Sequence, residues 1–191
     1  MNKSTKVLPN NYNLIKKVDF ANDKKMFILI NIIAVLICII MLIIPAYSNG
    51  ISFSIDISTF IKMGILTAAL AALYIILHEL VHGLFILIFT KEKPSFGFSK
   101  GLFYTATDYY MPKVQYIIIA LAPVVIWGVV LHLIYMNVSG PLFWVFYLIQ
   151  MLNISGAIGD YCITIVTLRL PKDILCKDKG ASMDFYGAIS E

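Results

Sequence analysis

Four stretches of this chain are apolar for about as long as a bilayer requires, and polar residues gather between them. They run from about Met26 to Ile44, Met63 to Phe89, Val114 to Met136 and Leu142 to Leu168. Pro45, Lys91, Pro112 and Pro141 punctuate them. The pattern predicts an all-α polytopic membrane protein with four transmembrane helices. One connector reads differently. From Ser95 to Thr107, aromatic and β-branched residues surround a Ser99-Lys100-Gly101 turn signal, which predicts a short β-hairpin between the second and third spans.

Composition agrees with this class. Of 191 residues, 60% are hydrophobic and 14% charged, and the mean hydropathy is +0.85. A soluble domain of this size could not hide so much apolar surface. The expected organisation is a basic leader over residues 1–25, a four-span domain over 26–170 and a tail over 171–191. Ala46-Tyr47-Ser48 resembles a signal-peptide cleavage site, but an apolar core of roughly 19 residues exceeds the usual h-region of about 7–15, favouring a retained signal anchor. Cys38, Cys162 and Cys176 show no paired spacing and are expected as free thiols.

Charge placement sets the orientation. Lys3, Lys6, Lys16, Lys17, Lys24 and Lys25 lie in the leader; Lys91, Lys93, Lys100 and Lys113 follow the second span. Arg169, Lys172, Lys177 and Lys179 lie in the tail, and only Lys62 falls on the other side. By the positive-inside rule both termini are expected in the cytosol of a multi-pass cell-membrane protein. The bilayer and a membrane-protein substrate are the expected partners, with no nucleic acid.

Within the second span stands His78-Glu79-Leu80-Val81-His82. Two imidazoles and a carboxylate are costly in hydrocarbon, so a membrane segment retains them for a function. On a helix this spacing puts both histidines on one face, one turn apart, as a zinc pair with the glutamate as general base. With three His and three Glu in the chain, chance yields the motif far less than once in ~100 shuffles. The bland alternative is a buried His pair bonded to its neighbours.

A zinc site needs a third ligand and an open position. His82 lies about 13 Å by helix rise from the Lys91 end of its span, and Asp160 about 13 Å from the Arg169 end of the fourth. Asp160 is therefore the expected third ligand. Asp108, in the hairpin loop, is the second choice. His132 is about 28 Å from Lys113, which suits an interfacial histidine. Asn153 stands two turns before Asp160 on one face, with Gly156 and Gly159 loosening the helix and permitting close backbone approach. Gly64, Ala68 and Ala72 form a small-residue ridge suited to tight packing, read as structural.

At these residues the chain resembles the membrane zincin peptidases and, more distantly, the site-2 proteases. The resemblance covers roughly residues 60–170. It rests on His78-Glu79-x-x-His82-Gly83, the hairpin-like segment, an Ala120-Leu121-Ala122-Pro123 stretch similar to a site-2 Ala-Gly-Pro signature, and Asn153, Gly156 and Asp160 downstream. Site-2 proteases place the aspartate one residue farther from the asparagine and within Leu-Asp-Gly; here Gly159 precedes it and Tyr161 follows. The resemblance implies a zinc metalloprotease, with Asn153 holding the substrate backbone. The residues imply Zn2+ on His78, His82 and Asp160, with Glu79 as catalytic base. Two rival readings use the same residues: a metal-binding membrane protein without turnover, and an inactive protease-like membrane partner.

Overall fold

A computed structural model describes residues 3–19, 22–49, 56–99, 102–180 and 182–188. Its helices are α1 (Lys24–Asn49), α2 (Ile57–Thr90), α3 (Lys113–Met136), α4 (Pro141–Gly156) and α5 (Ile158–Arg169). Its strands are β1 (Tyr12–Asp19), β2 (Ser95–Ser99), β3 (Leu102–Ala106), β4 (Tyr110–Pro112), β5 (Leu175–Asp178) and β6 (Ser182–Ala188). Four helical stretches are long and apolar enough to cross a membrane, α4 and α5 together forming the fourth. Large apolar side chains such as Phe27, Ile40, Ile65 and Leu133 face outward from them. A surface of that kind fits lipid better than water.

α2 has 34 residues, hence about 51 Å of helix against a hydrocarbon core of about 30 Å. It starts before the predicted span because Asp56 caps it, accepting from the backbone N–H of Thr59 at 2.9 Å and from its hydroxyl at 2.7 Å. It ends at Lys91, whose left-handed backbone turns its N–H back onto the Leu87 carbonyl. The fourth span is not continuous: α4 and α5 meet at Ala157, between the two glycines. Gly156 and Gly159, expected only to loosen one continuous helix, instead flank a break in it, and no other backbone closes on them. The nearest atom to a Cβ at Gly156 belongs to its own neighbour Leu152, and around Gly159 there is open space. The ridge of Gly64, Ala68 and Ala72 is also exposed rather than packed. α2 buries instead a stripe through Tyr74 and Ile86, with His78 and His82 half-buried between them. That stripe has the i, i+4 spacing of one helix face.

The predicted hairpin is present, β2 pairing antiparallel with β3 so that Phe96 opposes Thr105 and Phe98 opposes Phe103. Lys100 and Gly101 of its turn signal lie outside the described residues. The all-α expectation needs one correction. The leader and tail are not loose extensions. With β4 they build a four-stranded antiparallel sheet in the order β1-β6-β5-β4. The three basic segments of the sequence are thereby joined in one body on one side of the helices.

Two clusters hold these parts together. Val18, Met111, Cys176 and Phe185 of the sheet pack with Ile86, Tyr116, Ile119 and Ile163 of the helices. Farther along, Tyr74, Leu131 and Ile149 join α2, α3 and α4. His78, Glu79 and His82 of α2 lie between the two clusters.

Candidate metal centre

His78 and His82 are one turn apart on α2, their ring centroids 4.9 Å from each other. α5 brings Asp160 to them. Its Oδ2 lies 3.4 Å from Nε2 of His78 and its Oδ1 3.6 Å from Nε2 of His82. α5 is held in place from α3, where the Lys113 ammonium donates to the carbonyls of Leu168 and Leu170 at 2.9 and 2.5 Å. Asn153 of α4 and Asp160 of α5 both face the same stripe of α2, the first at Tyr74 and the second at the two histidines.

The far side of each imidazole fixes its tautomer. Nδ1 of His82 is 2.9 Å from the Ile119 carbonyl, which can only accept, so Nδ1 carries the proton. Nδ1 of His78 is 2.9 Å from the Tyr74 hydroxyl. That hydroxyl donates its one hydrogen to Oδ1 of Asn153 at 2.7 Å, and so accepts from His78. In the neutral imidazole this leaves a lone pair on each Nε2, on the side facing the Asp160 carboxylate. Two imidazole nitrogens beside a carboxylate suit a cation. Tetrahedral zinc with bonds of about 2.1 Å spaces its ligand atoms about 3.4 Å apart, the distance at which Asp160 Oδ2 stands from Nε2 of His78.

Glu79 stands beside this triad. Its ligand atom lies with those of His78 and His82 in a group spanning no more than 4.8 Å, so it is a geometric rival for the third ligand. Asp160, outside that group, turns one oxygen to each imidazole. The Glu79 carboxylate is instead engaged by β3, where the buried Thr105 hydroxyl lies 2.8 Å from Oε2 and 3.0 Å from the Glu79 backbone carbonyl. The hairpin gets this close because Gly83 has no side chain: a Cβ there would come within 2.7 Å of the Phe96 ring and 3.1 Å of Pro94.

A cavity of about 150 Å³ opens beside these groups, lined by Glu79, His82, Asp160 and Thr105 and, from the tail, by Asp178 and Gly180. The Tyr104 ring also lines it and rests directly on the backbone of Gly180. The hairpin and the tail thus meet at the cavity. Burial pushes the Asp178 carboxyl up to about 8, with further upward pressure from the charges of Asp160 and Glu79 and relief from the Gly180 N–H.

A family model described as putative zincin peptidase matches residues 71–175. The chain belongs to that zincin peptidase family. The matched residues take in the histidine pair, the hairpin and Asp160. No match is found among curated proteins or among solved structures.

Three further sequence expectations resolve on the geometry. Asp108 is exposed, away from the cavity lining. His132 is exposed and bonded to the Tyr135 hydroxyl at 2.6 Å. Asn153, expected to hold substrate, is wholly buried and does not line the cavity. Its Oδ1 accepts from Tyr74, and its Nδ2 donates to Val124 at 3.2 Å. Sequence reasoning missed Tyr74, Thr105 and Asp178. Tyr74 carried a usable signal, standing one turn before His78 on the same face. The other two did not, because only tertiary folding brings them to the motif.

Proposed function

We propose that this zincin peptidase is a membrane-embedded zinc metalloprotease that hydrolyses peptide bonds of membrane-associated substrates. The observation that carries the reading is the convergence of His78, His82 and Asp160, with the Asp160 oxygens 3.4 and 3.6 Å from the two Nε2 atoms. His78, His82 and Asp160 hold the metal. A zinc ion there supplies the positive charge that polarises a carbonyl and lowers the pKa of water from 15.7 to about 7.

Glu79 takes the proton of the attacking water and passes it to the leaving amine. Thr105, on the same cavity wall, holds its carboxylate in place. Helix rise places Glu79 about 16 Å from the Thr90 end of α2, inside the apolar stretch. The reaction therefore takes place below the membrane surface, on segments that can unwind, since a fully hydrogen-bonded helix hides its carbonyls. The concentration of Lys and Arg on the sheet side supports cytosolic termini.

The test is Glu79→Gln in the full chain in detergent or liposomes. The variant is expected to keep one zinc per chain by metal analysis while cleavage of a transmembrane peptide stops. Undiminished cleavage in that variant would refute the assignment.

A further inference from the structure

Asn153 and Tyr74 are buried, and neither lines the cavity, yet they form an unbroken chain to the metal centre. Asn153 cannot reverse its amide without loss. In its present sense Nδ2 donates to the Val124 carbonyl at 3.2 Å and faces Oε1 of Gln150 at 3.5 Å. Turned over, oxygen would face oxygen at both places. The packing of α3 and α4 therefore fixes which atom of Asn153 meets Tyr74, and that atom is an acceptor. An acceptor compels the Tyr74 hydrogen to point at Asn153. The hydroxyl oxygen is then left to receive the Nδ1–H of His78. Each link has one donor and one acceptor, so direction set in α4 is transmitted to an imidazole in α2.

We infer that Asn153 and Tyr74 are a directional relay that locks His78 in the tautomer whose Nε2 can bind the metal, and that both are positioning residues for the centre. The inference rests on the zinc reading above. Without an acceptor at 153, the Tyr74 hydroxyl is free to turn its hydrogen toward His78. The imidazole then keeps its proton on Nε2, where it blocks the ligand position. The relay also explains why an amide is buried where the resemblance suggested a substrate contact.

Two substitutions break the chain at different links: Tyr74→Phe removes the hydroxyl, and Asn153→Leu removes the acceptor at similar volume. Zinc affinity is measured by competition with a chelator, together with the visible spectrum of the cobalt-loaded protein, on full-length chain in detergent. Each single variant is expected to lose about 10–100-fold in zinc affinity, the usual effect of losing the partner that orients a ligand histidine. Each is also expected to shift the cobalt bands. The double variant should lose no more than the worse single one, because two breaks in one series chain count once. Unchanged affinity and spectrum in Tyr74→Phe would overturn the relay. So would additive losses in the double variant, which would mark two separate packing defects. Glu79→Gln separates this from the parent reading: if it and the natural chain bind no zinc, the metal centre itself is refuted. If both bind zinc and Tyr74→Phe binds it equally well, only the relay falls.

Discussion

Pro123 stands four residues after Ile119, the residue whose carbonyl accepts the Nδ1–H of His82 at 2.9 Å. In a helix the carbonyl of residue 119 would ordinarily take the N–H of residue 123. Proline has none, and its ring crowds the carbonyl one turn back. A proline inside α3 thus leaves a backbone acceptor unclaimed at the point where α2 presents an imidazole. His78 and His82 are oriented by different devices, a side-chain relay for one and a freed carbonyl for the other.

Replacing Pro123 by Ala should therefore split two properties that usually move together. The new N–H closes a hydrogen bond within α3, so the melting temperature should hold or rise. The same N–H competes for the Ile119 carbonyl, and zinc affinity should fall by about tenfold, at the lower end of what loss of an orienting partner does. Calorimetry and chelator competition on one preparation check both. A drop in melting temperature with unchanged zinc affinity would mean that Pro123 serves packing alone.

The helices were legible in the sequence because length and hydropathy are local properties, and so was His78-Glu79-x-x-His82, whose geometry follows from helix pitch. Asp160 was reachable by depth, since equal distances from two charged ends place two groups at one level. The four-stranded sheet was not legible. β1 is a Lys-rich strand whose pairing partner β6 lies more than 160 residues away, and neither strand alternates strongly enough to announce itself. The surroundings of Asn153 were not legible either: spacing put it on the face of Asp160 but did not show its full burial or its bond to Tyr74, which depend on how α4 packs on α2.

Thr105 joins the hairpin to the base. A hydrogen bond to a charged group contributes about 1.5–3 kcal/mol, so Thr105→Val should lower kcat by roughly 10–100-fold. Zinc content should not change, because Thr105 touches none of the three proposed ligands. Valine keeps the β-branched shape, and the hairpin should remain folded by circular dichroism. Zinc loss in this variant would show that the Glu79 carboxylate, not Asp160, completes the ligand set.

Gly180 is constrained twice. Its backbone has φ +83°, and a Cβ there would enter the Tyr104 ring near its root, where the ring cannot swing aside. Gly180→Ala should cost about 1–3 kcal/mol through backbone strain and push the tail away from the hairpin. The readout is faster proteolysis of the tail, with lower activity as the cavity opens to water. A variant as protease-resistant as the natural chain would show that the Tyr104 contact does not hold the tail.

Asp178 makes a prediction about pH in the metal-free protein. Its folded-state carboxyl is raised to about 8, whereas an unfolded chain gives about 3.9. The folded state therefore binds the proton more tightly, and stability falls wherever the unfolded state has already released it. The contribution is fully present below about pH 4 and is lost progressively as pH rises toward 8. In Asp178→Asn the amide cannot ionise, and this loss should vanish. Melting temperatures of chelator-treated protein measured from pH 5 to 9 decide the matter. The natural chain should lose stability across that range through this group, and the variant should show a flatter profile. Parallel profiles would mean that the carboxylate is solvated in the cavity and titrates as it does in water.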